Sequence, residues 1–221
     1  MHSTKNELLN EVADYYSEKL RVHGETPQGV DWNGPESQEL RFEQLFQVIG
    51  EAEAFSVNDL GCGYGALYDS LQKYYKDFLY VGVDISQAMV EAARDRYRDF
   101  PRARFVLAAA PDQVADFSIA SGIFNVRQGR SDDEWLGYVK DTLDTLDRFS
   151  RSGFAFNCLT SYSDAHKMRD YLYYANPGVL FDLCKTRYSR NVALLHDYDL
   201  YEFTILVRKK DHEKSGDFWL R

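Results

Sequence analysis

Two aspartates and three glycines hold the chemistry this chain offers most openly. Val57-Asn58-Asp59-Leu60-Gly61-Cys62-Gly63-Tyr64-Gly65 is an apolar run that ends in an acid and enters a loop with glycine at every second position. Tyr80-Val81-Gly82-Val83-Asp84 is a second apolar run ending in an acid. Glycine lets a backbone turn tightly and lets a ligand approach without meeting a Cβ. A carboxylate brings two acceptor oxygens, enough for both hydroxyls of a ribose. Gly61-x-Gly63-x-x-Ala66 satisfies a dinucleotide pattern, with Asp84 about 20 residues on, where a ribose-binding acid belongs. Asp59 argues for a different ligand. Two residues before the first glycine, it would sit near a pyrophosphate and repel it. Ammonium and sulfonium groups without phosphate would be drawn there instead.

Those residues need strands that end together. Ser56–Leu60, Leu79–Asp84, Arg104–Ala108, Phe117–Ser121 and Gly153–Leu159 read as strands, separated by helices at Ala66–Tyr75, Ser86–Tyr97 (with Ser86 as a cap) and Asp133–Arg148. Tyr171–Lys185 holds another helix, broken or started near Asn176-Pro177. Asn191–His196 and Tyr201–Arg208 are close enough to pair as an antiparallel hairpin. The expectation is an α/β fold with a mostly parallel sheet, an antiparallel C-terminal strand and helices on both faces. Ahead of it, Asn6–Arg21 and Ser37–Ile49 have helical apolar spacing around a Gly- and Pro-containing loop, His23–Pro35. We expect one domain over 1–221, with 1–50 a helical lid and 51–221 the Rossmann-like core.

Asp59-Leu60-Gly61-Cys62-Gly63-Tyr64-Gly65 resembles motif I of the class I S-adenosylmethionine-dependent methyltransferases, and Gly82-Val83-Asp84-Ile85-Ser86, with Met89 and Ala92-Ala93-Arg94, resembles their second motif and its helix. The Ser121-Gly122-Ile123-Phe124-Asn125 segment is similar to that of small bacterial members. The resemblance spans about Val57 to Arg208. It implies a seven-stranded sheet with the last strand inserted antiparallel and S-adenosylmethionine as cofactor, and says little about substrate; from the residues themselves we expect no metal, and methyl transfer to O or N of a small molecule. The cofactor-binding residues would be Asp59, Gly61, Cys62, Gly63, Gly65, Asp84, Ile85, Ala109, Ala110 and Ser121, with Arg41 on the helix before the Gly loop reaching the methionine carboxylate. Many family members carry Gly-Asp after the third strand for the adenine amino group. This chain has Ala108-Ala109-Ala110-Pro111, so adenine is left to backbone groups, Asp112 or Gln113, and packing by Ile85.

The acceptor site is sought after the fourth and fifth strands and under the lid. Tyr16, Trp32, Phe124, His166 and Tyr173 are candidate acceptor contacts, and His196, Tyr174 and Asn125 candidate catalytic groups. Sixteen tyrosines suit an apolar pocket with hydroxyl handles. Cys62 reads as a small packing side chain rather than a nucleophile. A net charge of −9 and the lack of an Asn-Pro-Pro-Tyr/Phe motif argue against nucleic acid. No apolar run is long enough for a membrane. Three cysteines without C-x-x-C spacing suit a reducing cytoplasm. Two rivals remain: a nicotinamide-dependent oxidoreductase, although the only Tyr-x-x-x-Lys, Tyr15–Lys19, precedes the Gly loop, and a non-catalytic cofactor-binding protein.

Overall fold

A computed structural model describes residues 2–32 and 34–209; Met1, Asn33 and the last stretch of the expected core, 210–221, lie outside the described residues. Seven strands form a single sheet in the order β3-β2-β1-β4-β5-β7-β6. They are β1 (Ala54–Leu60), β2 (Asp77–Asp84), β3 (Ala103–Leu107), β4 (Ala115–Ala120), β5 (Ser150–Leu159), β6 (Asn191–Leu195) and β7 (Glu202–Arg208). β1 to β5 pair in parallel, and β7 runs antiparallel to both β5 and β6, as expected. The strand order reverses between β1 and β4, so their exit loops leave toward opposite faces and open a crevice between them.

Helices cover both faces because the central strands are apolar on both sides. Leu8 and Val12 of α1 (His2–His23), Trp135 and Leu143 of α5 (Asp132–Arg148) and Leu180 of α6 (Pro177–Arg187) pack with Phe154, Phe156 and Phe203 on one face. Phe42 and Leu45 of α2 (Pro35–Phe46), Leu67 and Leu71 of α3 (Ala66–Tyr74) and Val90 of α4 (Gln87–Arg96) pack with Val57, Tyr80 and Phe105 on the other. Local chemistry fixes the helix starts. Ser86 Oγ accepts from Met89 N at 3.2 Å at the head of α4, as expected, and Ser131 and Glu134 form a reciprocal capping box at α5.

Of the alternatives expected for Tyr171–Lys185, the helix that starts near Asn176-Pro177 is the one formed, and the strand expected to reach His196 is shorter. Residues 171–175 are not helical, because their N–H groups are spent elsewhere: Tyr173 N donates to Asn125 O at 2.8 Å and Ala175 N to Leu159 O at 2.9 Å. Helix α6 begins at Pro177, capped by Asn176, since a residue before proline disfavours the helical region. β6 stops at Leu195, so His196 lies beyond the strand.

Candidate functional site

The carboxyl ends of β1, β2 and β4 open onto a cavity of about 340 Å³, roofed by Leu9, Val12, Ala13 and Tyr16 of α1 and by Trp32. Asp59 and Gly82 are register partners, so β1 and β2 end side by side and both acids reach this one space. Asp84 Oδ2 accepts from Gly63 N and Oδ1 from Ser86 N, each at 2.8 Å. Burial raises the Asp84 pKa, while the N–H groups of Ser86, Gly63 and Ile85 hold it back. Asp59 is 2 % exposed and accepts from Tyr80 Oη at 2.6 Å. Burial pushes it up to about 7, against the Tyr80 hydrogen bond and with help from the charge of Asp84.

The Gly loop is folded against the sheet rather than presented as an anion cradle. Gly61 N and Cys62 N both donate to Val83 O, Gly63 N donates to Asp84, and Gly65 N to Cys62 O. A pyrophosphate would find these donors engaged. Among the described residues that line the cavity the acids are Asp31, Asp59, Asp84 and Glu202 and the one cationic side chain is Arg41; Asp31 is paired with Lys19 and Glu202 with Arg41, which leaves Asp59 and Asp84 to set the sign of the site. Such a lining favours a positively charged ligand. Gly61 (φ +76°) and Gly63 (φ +53°) serve different ends. A Cβ at Gly61 would collide with Ile123, whereas the nearest atom to one at Gly63 is Val30 Cγ1 at 3.1 Å, across the cavity mouth.

Arg41 is 5 % exposed and has a built environment. Its Nε donates to Glu202 Oε2 at 2.8 Å, its Nη1 to Ser37 O at 2.6 Å, and its guanidinium lies 4.0 Å from the Trp32 ring centroid. Asn157 ties this cluster to the β4 exit: its Oδ1 accepts from Gly122 N at 2.8 Å and its Nδ2 donates to Glu202 Oε2 at 2.6 Å. Trp32 sits against Gly122, in space that a side chain there would fill.

Of the residues expected from the sequence, Arg41, Asp59, Gly61, Cys62, Gly63, Asp84, Ile85, Ala109, Ser121, Asn125, Tyr16 and Trp32 line the cavity. Others expected there do not line it. His196 is exposed and packs on Phe203; Tyr174 Oη accepts from Arg169 N at 3.0 Å; His166 is exposed on a short 3-10 turn. Phe124 and Tyr173 are buried in the core on the α5 side, and Phe124 O takes the Trp135 indole N–H. Gly65 starts α3 against Tyr97 and Phe105, and Ala110 lies past the lining residues Ala108 and Ala109. Asp112 is paired with Arg104 at the surface, and Gln113 is exposed, and neither lines the cavity. Chain position after β5 brought His166, Tyr173, Tyr174 and His196 together in the sequence; their places in the fold separate them.

Sequence reasoning missed Glu202, Asp31 and Tyr138, all of which line the cavity. Glu202 had a readable signal, an acid heading the apolar run Phe203-Thr204-Ile205-Leu206-Val207.

A model of a methyltransferase domain matches residues 57–136. A Mycobacterium tuberculosis protein named "Putative methyltransferase Rv1506c" is 59% identical over 163 residues, 74% of this chain and 98% of that protein. The N-methyltransferase NodS from Bradyrhizobium japonicum WM9, solved with S-adenosyl-L-homocysteine, aligns with TM-score 0.63 at 14% identity over 90% of this chain and 98% of NodS. Magnesium protoporphyrin IX methyltransferase from Synechocystis PCC 6803, also solved with that product, aligns with TM-score 0.62 at 14% identity over 91% and 99%. These two share the fold. The 59% identity over 74% of this chain shows descent: the chain belongs to the methyltransferase family.

Proposed function

We propose that the protein transfers a methyl group from S-adenosylmethionine to an O or N atom of a small-molecule acceptor, in the cytoplasm. The observation that carries the cofactor reading is Asp84, whose two oxygens each keep a lone pair after accepting a backbone N–H, beside a Gly loop with its own N–H groups engaged. That arrangement suits a ribose diol and leaves a pyrophosphate few of the loop's donors. When bound, S-adenosylmethionine supplies a methyl group on a sulfonium, already a good leaving group. The protein then has to align, desolvate and receive a proton.

The residues divide that work. Asp59 faces the cationic methionine part, and Arg41 offers its remaining N–H groups to the carboxylate. Ile85, Ala108 and Ala109 pack the adenine, with the α5 side chains Tyr138 and Thr142 nearby on the lining. Of the expected lid, α1 and Trp32 do the covering while α2 belongs to the sheet-covering core, with Tyr16 and Trp32 excluding water. Asn125 accepts Leu159 N on its Oδ1 at 3.2 Å, which leaves its amide N–H groups to orient an acceptor. Calorimetry tests the reading. S-adenosylhomocysteine should bind at micromolar strength and NADH should not; the opposite result ends it. Binding without turnover over a broad acceptor panel would leave a cofactor-binding protein.

A further inference from the structure

Among the described residues, three buried side-chain polar atoms lack a partner: Asn58 Oδ1, Ser121 Oγ and Glu202 Oε1. Ser121 and Glu202 line the cavity. Glu202 is 1 % exposed and its two oxygens are treated very differently. Oε2 accepts from Arg41 Nε and Asn157 Nδ2, so it is held from two sides. Oε1 accepts from nothing in the protein. Buried carboxylate oxygens are almost always hydrogen-bonded, and an exception calls for an explanation. β7 pairs with β5 so that Glu202 stands opposite Leu159, beside the Asn125 that bonds Leu159 N. Through Asn157 it is one side chain away from the Gly122 N–H at the β4 exit.

We propose that Glu202 Oε1 receives an N–H or O–H of the methyl acceptor, so that the acceptor class is amines and hydroxyl compounds that still carry a hydrogen on the attacked atom. The inference rests on the methyltransferase reading. In the step, the acceptor's lone pair forms the new bond to the methyl carbon. The carbon–sulfur bond breaks with its pair going to sulfur, and the proton released from the attacked N or O passes to Oε1. Arg41 and Asn157 act as positioning residues. They fix Oε2 and thereby the direction of Oε1.

The test loads the full-length protein with S-adenosylhomocysteine, which withdraws Asp59 and Asp84, and adds methylammonium as probe, read by saturation-transfer NMR. Tetramethylammonium, a cation without N–H, is the control. Methylammonium should take up saturation and tetramethylammonium should not. Glu202→Gln should cut the methylammonium affinity at least tenfold while the product's Kd stays within twofold. The inference is overturned if methylammonium is silent in the wild type, if both cations behave alike, or if Glu202→Gln binds methylammonium unchanged. A tenfold loss of product affinity in Glu202→Gln also overturns it, since Glu202 would then serve the methionine part. The wild-type comparison decides even where the variant fails to fold. Failure of the product itself to bind would instead sink the methyltransferase reading.

Discussion

Each oxygen of Asp84 accepts a backbone N–H, from Gly63 and from Ser86, and each has a second lone pair. Losing charge-assisted hydrogen bonds worth about 1.5–3 kcal/mol should make Asp84→Ala bind S-adenosylhomocysteine roughly tenfold to a hundredfold more weakly; an unchanged Kd removes Asp84 from the site. Asp59 makes a prediction in pH. Its ordinary value is 3.8, and burial lifts it to about 7 in the fold. The folded protein therefore holds a proton that the unfolded chain gives up. That contribution to stability is complete below the ordinary value and is lost as pH rises through about 7. A cationic ligand prefers the ionised form. Its affinity should accordingly rise from about pH 6 to about pH 7.5, with proton release below neutrality. Calorimetry in buffers of different ionisation enthalpy measures this, and Asp59→Asn should abolish it. The glycines can be told apart the same way. Gly61→Val drives a side chain into Ile123 and should lower the thermal midpoint of the ligand-free protein more than Gly63→Val, whose main loss should be cofactor binding.

Among elements, α1 is the one expected to change state. Ser17 Oγ lies 2.9 Å from Ser86 Oγ of the α4 cap, and Asp31 receives Tyr15 Oη at 2.8 Å and Lys19 Nζ at 2.7 Å. These links are few and partly exposed, the kind that open at low cost. Amides from about Tyr15 to Asp31 should exchange quickly without ligand and slowly with S-adenosylhomocysteine. Exchange indifferent to ligand would make α1 simple sheet cover. The core elements were legible because strands buried on both faces stand out as apolar runs between helical periods. Residues 171–175 were not, since Tyr171 and Tyr174 have helical spacing while the partners that hold the segment extended, Asn125 and Leu159, are far away in the chain. The same distance hid the site beyond the Gly loop. Asp84 and Gly63 are local and readable, whereas Glu202 acquires its place only by pairing with β5 and Arg41.

Over the whole molecule, the acidity seen in the composition continues inward: among the described residues, Asp59 and Asp84 line the cavity beside two ion pairs, Glu202–Arg41 and Asp31–Lys19. A net negative protein with a negative cleft attracts cations from a distance, and salt weakens that attraction. S-adenosylmethionine carries one more positive charge than its product. Its association rate, followed by stopped-flow fluorescence, should therefore fall with added salt more steeply than that of S-adenosylhomocysteine; equal slopes would mean that the field does not steer the ligand.

The seating of Trp32 against Gly122, with Arg41 stacked on the indole, bears on tempo. In the proposed reaction an indole seated at the β4 exit is placed to gate the departure of spent cofactor, and loop opening of this kind sets the turnover rate in many enzymes. Repeated turnover should then slow in viscous solvent while a single round does not. Trp32→Ala should release product sooner, shorten its residence, and make the steady-state rate indifferent to viscosity.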